Sequence, residues 1–396
     1  MSSGSGIVPR PSREPAKDAT FATLVAYGGG VHPCARAVPM SFPVATIDAA
    51  ALRSNLAVVR RMAPRARVIA VVKANGYGHG MIRVARALAE ADGLGVARLA
   101  DAVALREAGV TQRILLLEGV FGVEQFALAA KEQCEIVVHS AEQLDALEQF
   151  AGSHRFTVWL KLNSGMNRLG FRVEDFTAAH ARLQRCSSVS LIRVMTHLSS
   201  SEERSQITPT QLKVFDDLVA PLGLERSVAN SAAVIGWPEA HQDWVRPGLM
   251  LYGMSPIPNQ TAAGLGLRPA MTLSTQLVAI QNIGVGEPVG YNGIWRAQRP
   301  SRIGIAAIGY GDGFPRTTRN GASVLVGGKE APIAGRVSMD MISIDITDLP
   351  QAKVGDEVVV WGEGLPAEKL APYADTTCYE LVCRVTSRVP LVWMES

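Results

Sequence analysis

The sequence contains few cysteines, and none of them is arranged as a pair. Their number is odd and no CxxC motif occurs. The seven histidines show no metal-ligand spacing with one another or with the cysteines. The pattern therefore argues against a disulfide scaffold and a zinc site, and it predicts free thiols in a reducing compartment. The five cysteines are Cys34, Cys134, Cys186, Cys378 and Cys383.

Long apolar runs and blocks of one charge are also missing. No stretch approaches the ~20 apolar residues that a membrane-spanning helix needs. The formal net charge is only +3 over 396 residues, and no block is dense in lysine or arginine. These absences argue against a helical membrane protein and against a nucleic-acid partner. With 47% hydrophobic and 19% charged residues, the composition is typical of a folded soluble enzyme.

Residues 1–39 differ from the rest of the chain. They are rich in Ser, Gly and Pro, and they show little periodicity. Their apolar run at 21–27 is too short and poorly flanked for a convincing signal peptide. The pattern of a globular protein begins just after Met40. We therefore expect residues 1–39 to be a disordered extension and the protein to be cytoplasmic.

From about residue 66, short apolar runs alternate with helical patterns. Segments such as 81–91 and 209–221 carry apolar residues at i, i+3 and i+4, which is the helical spacing. Apolar strands separated by helices indicate a parallel sheet that is covered on both faces. Eight such repeats fit a closed (β/α)8 TIM-type barrel better than an open doubly wound sheet. The predicted strands are 68–73, 94–97, 113–118, 135–139, 157–163, 192–197, 227–230 and 244–246.

After Arg268 and Pro269 the pattern changes to strand-like runs separated by Gly, Pro and Asp turns. Helical periodicity is scarce there until 366–373. We therefore predict a barrel domain over 40–267 and a C-terminal β-rich domain over 268–396, and residues 42–48 could pair with the β-rich domain. The predicted strands of this second part are 272–283, 303–308, 323–326, 342–346 and 357–361.

Polar side chains end five of the predicted barrel strands. They are Lys73, Lys161, His197, Asn230 with Ser231, and Arg246. Enzymes built on such barrels carry their active sites at the C-terminal ends of the strands. A lysine at this position is partly desolvated, which lowers its pKa and favours the neutral amine that attacks an aldehyde. Lys73 is therefore a candidate covalent anchor, although a lone rim lysine more often only extends to solvent.

Two parts of the same rim are candidates for phosphate binding. The glycine-rich segment 76–80 contains Tyr77, but it lacks the fingerprint of a dinucleotide site or a P-loop. Ser231 and Gly248 follow the seventh and eighth strands, where barrels often bind phosphate. Taken alone, Ser231 is more readily explained as an ordinary helix cap.

These segments resemble the alanine racemase family over nearly all of residues 42–393. The most specific match is the run VVKANGYGHG at 71–80. Eight further segments match in order: 161–170, 196–199, 228–232, 245–249, 290–291, 309–313, 335–340 and 379–380. The family fold combines an N-terminal barrel with a C-terminal β domain, which agrees with the pattern of strands.

The resemblance implies an enzyme that depends on pyridoxal 5′-phosphate (PLP). Lys73 would hold the cofactor covalently, and Arg246 would face its pyridine nitrogen with His197 behind. Because arginine stays charged, it cannot easily give a proton to that nitrogen, which keeps the ring a weak electron sink and suits racemisation. The remaining residues expected around the cofactor are Tyr77, Asn230, Ser231, Gly248, Leu249 and Tyr379.

Racemisation removes a proton from one face of Cα and returns it on the other, so the resemblance implies two bases, Lys73 and Tyr291. Tyr291 would come from the partner subunit of a homodimer. The expected substrate-binding residues are Arg168, Tyr310, Met339 and Asp340. The family often carries a carbamylated lysine at the position of Lys161, which is therefore a candidate for that modification. Asn163 stands where many relatives have aspartate, and this changes the charge expected near Lys161.

Three other functions are compatible with parts of this pattern. A racemase of broader specificity would differ in pocket volume beside Tyr310 and Tyr379. A non-catalytic PLP-binding regulatory protein would lack the β domain and Tyr291. A barrel decarboxylase would place an acidic residue in the position of Arg246. For the racemase itself, the sequence leaves open whether it supplies D-alanine for peptidoglycan or serves alanine catabolism.

Overall fold

The computed structural model describes residues 42–395. The extension predicted at 1–39, with Cys34, lies outside the described residues. Across residues 42–395, no helix is long and apolar enough to cross a membrane. The four cysteines of this part of the chain are free thiols: Cys134, Cys186, Cys378 and Cys383.

The described chain begins with strand β1 (Val44–Asp48) and helix α1 (Ala49–Met62). Asp48 caps the helix, because its Oδ1 accepts a hydrogen bond from the Ala51 amide at 3.0 Å. In the middle of α1, buried Asn55 donates through Nδ2 to the carbonyls of Leu251 at 3.0 Å and Arg268 at 2.8 Å. This side chain fixes α1 to the segment that leaves the barrel.

Eight parallel strands then close into a barrel, which confirms the predicted fold class. Each strand pairs with the next, and β9 returns to β2 through Val68 opposite Val245. The strands are β2 (Arg67–Val71), β3 (Gly93–Val96), β4 (Ile114–Leu116), β5 (Cys134–Val138), β6 (Phe156–Lys161), β7 (Val189–Met195), β8 (Arg226–Ser227) and β9 (Trp244–Val245). The helices are α2 (Lys73–Tyr77), α3 (Met81–Ala87), α4 (Leu99–Glu107), α5 (Val123–Lys131), α6 (Ala141–Glu148), α7 (Val173–Arg185), α8 (Ile207–Val219) and α9 (Ser231–Gly236).

Alternate residues of the strands build two separate cores, as the two-residue period of a strand requires. Within β2, Ile69 belongs to a small cluster, whereas Val68 and Ala70 belong to the large one. The small cluster fills the barrel interior, and the large one lies under the helices and continues into the β-rich part. Six buried side chains make up the small cluster: Ile69, Leu115, Val137, Trp159, Met195 and Trp244.

The rest of the chain supplies seven strands of an eight-stranded sheet and both strands of a two-stranded ribbon. All five runs predicted in this region appear as strands. The elements are β10 (Met271–Ile283), β11 (Pro288–Val289), β12 (Trp295–Arg296), β13 (Ser301–Ala306), β14 (Ser323–Val326), β15 (Lys329–Pro332), β16 (Ile342–Asp345), β17 (Glu357–Trp361), α10 (Ala367–Leu370), α11 (Cys378–Cys383) and β18 (Leu391–Met394).

The sheet also contains β1, which lies between β10 and β18. Val44 is opposite Ser274 in the antiparallel pair with β10, and Ala45 is opposite Leu391 in the parallel pair with β18. The main path runs β15-β14-β17-β10-β1-β18, while β13 pairs with β10 and with β16. The boundary between domains at residues 267 and 268 stays a prediction.

Candidate active site

The predicted cofactor residues of the barrel rim line one cavity of about 510 Å³, which we call the rim pocket. Its volume lies within the range of about 300–1,000 Å³ that is typical of cofactor sites. The residues that line it are Val71, Lys73, Ala74, Tyr77, Ala97, Leu117, Glu118, Lys161, Arg168, Leu169, Met195, His197, Asn230, Ser231, Arg246, Gly248, Leu249, Tyr379 and Cys383.

The sequence pattern predicted that Lys73 ends the first barrel strand, and this prediction is wrong. Strand β2 ends at Val71, and Lys73 opens a single turn in which Ala74, Asn75 and Gly76 have φ of 52°, 54° and 61°. This left-handed backbone is costly for Ala74 and Asn75. The Asn75 side chain offsets part of the cost, because its Oδ1 accepts a hydrogen bond from the Met81 amide at 3.0 Å. The turn directs the chain away from the barrel immediately after the lysine.

Two lysines of the rim pocket have lowered pKa values. Desolvation and the charge of Arg168 lower the pKa of Lys73. Lys161, the last residue of β6, is buried, and desolvation together with the charge of Arg246 lowers its pKa to about 8. A lowered pKa increases the fraction of neutral amine at physiological pH, and a neutral amine is the reactive form of lysine.

Arg246 is buried and has only neutral hydrogen-bond partners among the described residues. It donates to the Ser227 hydroxyl, to the Thr196 carbonyl at 2.6 Å and to the Val228 carbonyl at 3.3 Å. Burial lowers its pKa to about 10, so it stays charged at neutral pH. Desolvation and the charge of Arg246 hold the pKa of His197 well below its usual range, which leaves that imidazole neutral.

Ser231 and Gly248 meet where β8 and β9 end. The Ser231 hydroxyl accepts hydrogen bonds from the amides of Gly248 at 2.9 Å and Met250 at 3.3 Å. The helix cap expected of Ser231 belongs instead to Asn230, whose Oδ1 accepts from the Ala233 amide at 3.0 Å. A Cβ at Gly248 would lie 2.3 Å from the Tyr77 hydroxyl oxygen, so only glycine allows this tyrosine to approach.

Helix α11 brings Tyr379 from the β-rich part to the rim pocket. It packs directly on the signature segment, because a Cβ at Gly78 would lie 2.1 Å from the carbonyl oxygen of Val382. The rings of Tyr77 and Tyr379 lie 6.0 Å apart, and Tyr77 stacks on Tyr252 at 4.7 Å. Burial raises the pKa of Tyr77 and raises that of Tyr379 to about 12, so both phenols are neutral hydrogen-bond donors at physiological pH.

Four predicted site residues do not line this pocket. Tyr291, Tyr310, Met339 and Asp340 lie in the β-rich part, and the side chain of Tyr291 is 66% exposed. Tyr310 and Met339 lie on adjoining loops, since the Tyr310 amide donates to the Ser338 carbonyl at 3.0 Å. Asp340 accepts a hydrogen bond from Arg388 at 2.6 Å. A single chain therefore gathers one part of the expected site and leaves the other part on its surface.

Two polar residues of the rim pocket were not singled out from the sequence. Glu118 is the only carboxylate that lines the cavity within the described chain, and Cys383 contributes a thiol. Glu118 could have been found, because it ends the predicted strand 113–118 and the strand-end rule applies to it. Cys383 carries no comparable signal, since it reaches the pocket only through the docking of α11.

The hydrogen bonds of the loop that carries Arg168 explain why asparagine stands at position 163. The Asn163 side chain accepts hydrogen bonds from the amides of Gly165 at 3.1 Å and Asn167 at 3.0 Å, and it donates to Asn167 Oδ1 at 3.0 Å. An ionised aspartate could accept the first two bonds but could not donate the third. Asn163 therefore orders the loop between Lys161 and Arg168.

Comparison with known proteins agrees with this architecture. A family model for the alanine racemase N-terminal domain matches residues 47–256, and one for the alanine racemase C-terminal domain matches 270–393. The curated alanine racemase of Nitrosococcus oceani is 50% identical over 353 residues, which are 89% of this chain and 99% of the relative. That of Aeromonas hydrophila is 49% identical over 352 residues, covering 88% of this chain and 99% of the relative.

Solved structures give the same result. The crystal structure of the biosynthetic alanine racemase from Pseudomonas aeruginosa aligns with a TM-score of 0.86 and 46% identity, covering 89% of this chain and 99% of that chain. The structure of the Acinetobacter baumannii alanine racemase aligns with a TM-score of 0.86 and 36% identity, covering 90% and 100%. These relatives favour alanine racemisation over the broader-specificity and non-catalytic alternatives. The chain belongs to the alanine racemase family, and it racemises alanine.

Proposed function

We propose that this racemase binds PLP in the rim pocket, covalently on Lys73, and that it moves the Cα proton of alanine between Lys73 and Tyr291. One observation carries the proposal. The rim pocket combines a lysine of lowered pKa with a buried arginine that has no carboxylate partner among the described residues and with a glycine-dependent cleft beside Tyr77. When bound, PLP would delocalise the electron pair that is left on Cα after the proton departs.

The charge of the rim pocket suits the two anions that such a reaction requires. The guanidinium groups of Arg168 and Arg246 line it against the single carboxylate of Glu118. The phosphate of PLP and the carboxylate of alanine both carry negative charge at physiological pH, so both are attracted to this excess of cations.

Tyr77, Ser231, Gly248, Leu249 and Tyr379 would hold the phosphate, with Asn230 ordering the start of α9 beside them. The neutral phenols of Tyr77 and Tyr379 are suited to donating hydrogen bonds to phosphate oxygens. The close approach of Tyr77 to Gly248 places that phenol beside the loop after β9.

Arg246 would face the ring nitrogen of PLP. Its guanidinium is fixed by the hydrogen bonds that it donates to Ser227, Thr196 and Val228, so it keeps one orientation. Even with its pKa lowered to about 10, it remains protonated at neutral pH and has no lone pair to exchange for a proton. The neutral His197 behind it would adjust the position of the guanidinium without adding charge.

Lys73 would act as the base on one face of the substrate, and Tyr291 would act on the other. The lowered pKa of Lys73 favours the neutral amine that accepts a proton. Tyr291 is exposed and lies away from the rim pocket of its own chain, which supports a homodimer in which it reaches the partner's pocket. Tyr310, Met339 and Asp340 would line the substrate entrance from the same side.

Arg168 would bind the substrate carboxylate, and Lys161 would support it. A lysine whose pKa is about 8 has an appreciable neutral fraction at physiological pH, and a neutral amine adds to carbon dioxide to give a carbamate and a proton. The carbamate would supply a negative charge beside Arg168.

The wider proposal is that the enzyme works in the cytoplasm and supplies D-alanine for peptidoglycan or serves alanine catabolism.

A direct test follows the cofactor and the reaction together. Purified enzyme is expected to be yellow, and borohydride is expected to fix the chromophore on the peptide that contains Lys73. A racemisation assay on both enantiomers of alanine, with serine, lysine and arginine in parallel, is expected to show the highest kcat/KM for alanine. A colourless enzyme that binds no PLP, or a label on Lys161 instead, would contradict the proposal.

A further inference from the structure

A separate cavity of about 210 Å³ lies where helices α1 and α3 meet the end of strand β18. We call it the arginine cleft. Among the described residues it shares no lining side chain with the rim pocket, and the racemisation mechanism uses none of its residues. Besides two alanines, it is lined by Arg53, Arg83, Arg86, Trp393 and Glu395.

Positive charge prevails in the arginine cleft. Three guanidinium groups line it against one carboxylate, that of Glu395, within the described chain. Arg83 and Arg86 come from α3, and Arg53 comes from α1. All three arginines are exposed, so a ligand that enters the cleft can reach them. Because arginine stays protonated at physiological pH, the cleft attracts anions and repels cations.

Trp393 and Glu395 orient the side chain of Arg83. The guanidinium carbon lies 4.8 Å from the centroid of the Trp393 ring, and Nη2 donates to Glu395 Oε1 at 2.6 Å. A guanidinium that rests on an aromatic face is partly ordered before a ligand arrives. It has five N–H donors, so the bond to Glu395 leaves others for an anion.

Arg86 follows Arg83 by three residues on α3, so the two side chains lie on the same face of the helix. Its Nη2 donates to the Ala108 carbonyl at 2.9 Å, which anchors the guanidinium and occupies one of its five donors. Two anchored guanidinium groups on one helix face suit an anion with several acceptor oxygens, because each can donate to a different oxygen.

The size of the cleft indicates a small anionic group. Its 210 Å³ is about seven times the volume of one water molecule in the liquid, and it is below the about 300–1,000 Å³ of sites that enclose a whole ligand. A phosphate group has only five heavy atoms, and its oxygens accept hydrogen bonds from several directions. In a monoester it carries about −1.5 to −2 charge at pH 7, more than a carboxylate, so it matches the excess of arginine better.

The arginine cleft lies next to the signature segment. A Cβ at Gly80 would lie 3.9 Å from Nε1 of Trp393, so this ring packs on the glycine. Helix α3 begins at Met81, whose amide donates to Asn75 Oδ1 at 3.0 Å in the turn after Lys73. An anion held on α3 would therefore bind a helix that is fixed to the Lys73 turn.

We propose that the arginine cleft is a binding site for a phosphate group, either free phosphate or the phosphoryl end of a small monoester. Arg83 and Arg86 hold the group, and Arg53 adds its charge from α1. The organic part of a monoester lies outside the cleft, because the volume leaves little further room. This site does not depend on the cofactor or on the bases of the racemisation.

The test is calorimetric titration of the enzyme in low-salt buffer with inorganic phosphate, with glycerol 3-phosphate and with acetate. Saturating PLP is present, to keep phosphate out of the rim pocket. At least one phosphate compound is expected to bind about tenfold more tightly than acetate, since it accepts more hydrogen bonds from charged donors. Tighter binding of glycerol 3-phosphate supports a site for monoesters, and tighter binding of inorganic phosphate supports a site for the free ion.

Variants locate the binding. Arg83→Gln combined with Arg86→Gln removes both charges, and it is expected to weaken phosphate binding about tenfold or more. Arg185→Gln, at the exposed last residue of α7 outside the cleft, is the matched control and is expected to stay within about twofold of the wild type. If the double variant does not fold, Arg86→Gln alone is expected to weaken binding about threefold or more. No saturable phosphate binding by the wild type, acetate binding as tight as phosphate, or the same affinity in the cleft variants as in Arg185→Gln would each overturn the proposal.

Discussion

The two ends of the barrel treat buried arginine in opposite ways. Near the end where the strands begin, Arg193 forms ion pairs with two carboxylates, those of Glu135 and Glu225. Where the strands finish, Arg246 is equally buried, but its hydrogen-bond acceptors are a hydroxyl and two carbonyls. Positive charge is neutralised by the protein at the first end and has no charged partner among the described residues at the second.

Two tryptophans bind the same two carboxylates at the end where Arg193 forms its ion pairs. Trp159 Nε1 donates to Glu135 at 2.7 Å, and Trp244 Nε1 donates to Glu225 at 3.0 Å. The guanidinium of Arg193 lies over both indole rings, 5.2 Å and 5.1 Å from their centroids. Burial alone therefore does not mark a functional charge. The absence of a charged partner among the described residues does, and in barrels of this kind the functional end is the C-terminal one.

The largest expected effect is a loss of activity from a change at the C-terminal end of the barrel, which we call the unpaired end because Arg246 has no charged partner there among the described residues. Lys73→Ala removes the proposed anchor and one of the two proposed bases, so we expect racemisation in both directions to fall by at least about 10³-fold. The temperature of unfolding of the cofactor-free variant is expected to match that of the cofactor-free wild type. Racemisation assays and thermal melts measure the two effects. Activity above one tenth of the wild-type value would remove Lys73 from the mechanism.

At the end where the strands begin, which we call the paired end because Arg193 forms ion pairs there, the expected effect is on stability. Arg193→Ala removes the most buried partner of Glu135 and Glu225. Each carboxylate keeps a more exposed arginine, Arg113 or Arg67, so we expect a loss of about 1–3 kcal/mol of unfolding free energy, less than for a buried charge left with no partner. Denaturant titration measures this loss. The fraction that remains folded is expected to keep the wild-type kcat, because Arg193 does not line the rim pocket. A variant that loses kcat but keeps its stability would reverse the comparison.

A smaller effect is expected from pH. Burial raises the pKa of Glu225, but hydrogen bonds from Arg67, Trp244 and Arg193 outweigh it and lower the pKa to about 2, against 4.5 for an ordinary glutamate. The carboxylate therefore stabilises the fold above pH 4.5, and this stabilisation is lost as the pH falls towards about 2. Unfolding free energy measured across this window is expected to fall less steeply in Glu225→Gln. An unchanged slope would show that the network contributes nothing to acid stability.

The smallest effect is expected for an exposed ion pair. Arg172 lies 2.6 Å from Glu174, and both side chains are more than 60% exposed. Such pairs contribute little to stability, because solvent screens them. Arg172→Ala is therefore the matched reference for Arg193→Ala, and its unfolding free energy is expected to stay close to that of the wild type. A loss as large as that of Arg193→Ala would mean that burial does not separate the two pairs.

The sequence predicted the functional end of the barrel better than the paired end. Apolar runs predict strands, and the rule that active-site residues follow those strands predicted Lys73, Lys161 and Arg246, which all line the rim pocket. The paired end has no such rule. Glu135 and Arg193 are 58 residues apart, and each is a charged residue inside an apolar run. Only closure of the barrel brings them together, so no local pattern could have matched them.

Local backbone and assembly also limited what the sequence could predict. The left-handed turn after Lys73 depends on a side-chain contact between Asn75 and Met81 that apolar periodicity does not record. The helix cap at Asn230 rather than Ser231 is a shift of one residue, within the usual uncertainty of helix ends. Tyr291 is a harder case, because nothing in a single chain relates it to Lys73 and only the family resemblance does.

The position of β1 has a consequence for folding. Its two neighbours in the sheet, β10 and β18, follow the whole barrel in the sequence, and Ala45 lies opposite Leu391. Pairing so distant in sequence is slow to form, because a long loop must close before any contact compensates for the lost entropy. The barrel can be completed from local contacts while β10 still lacks one neighbour. The last step of folding is therefore expected to be the insertion of β1 between two strands that come much later in the sequence.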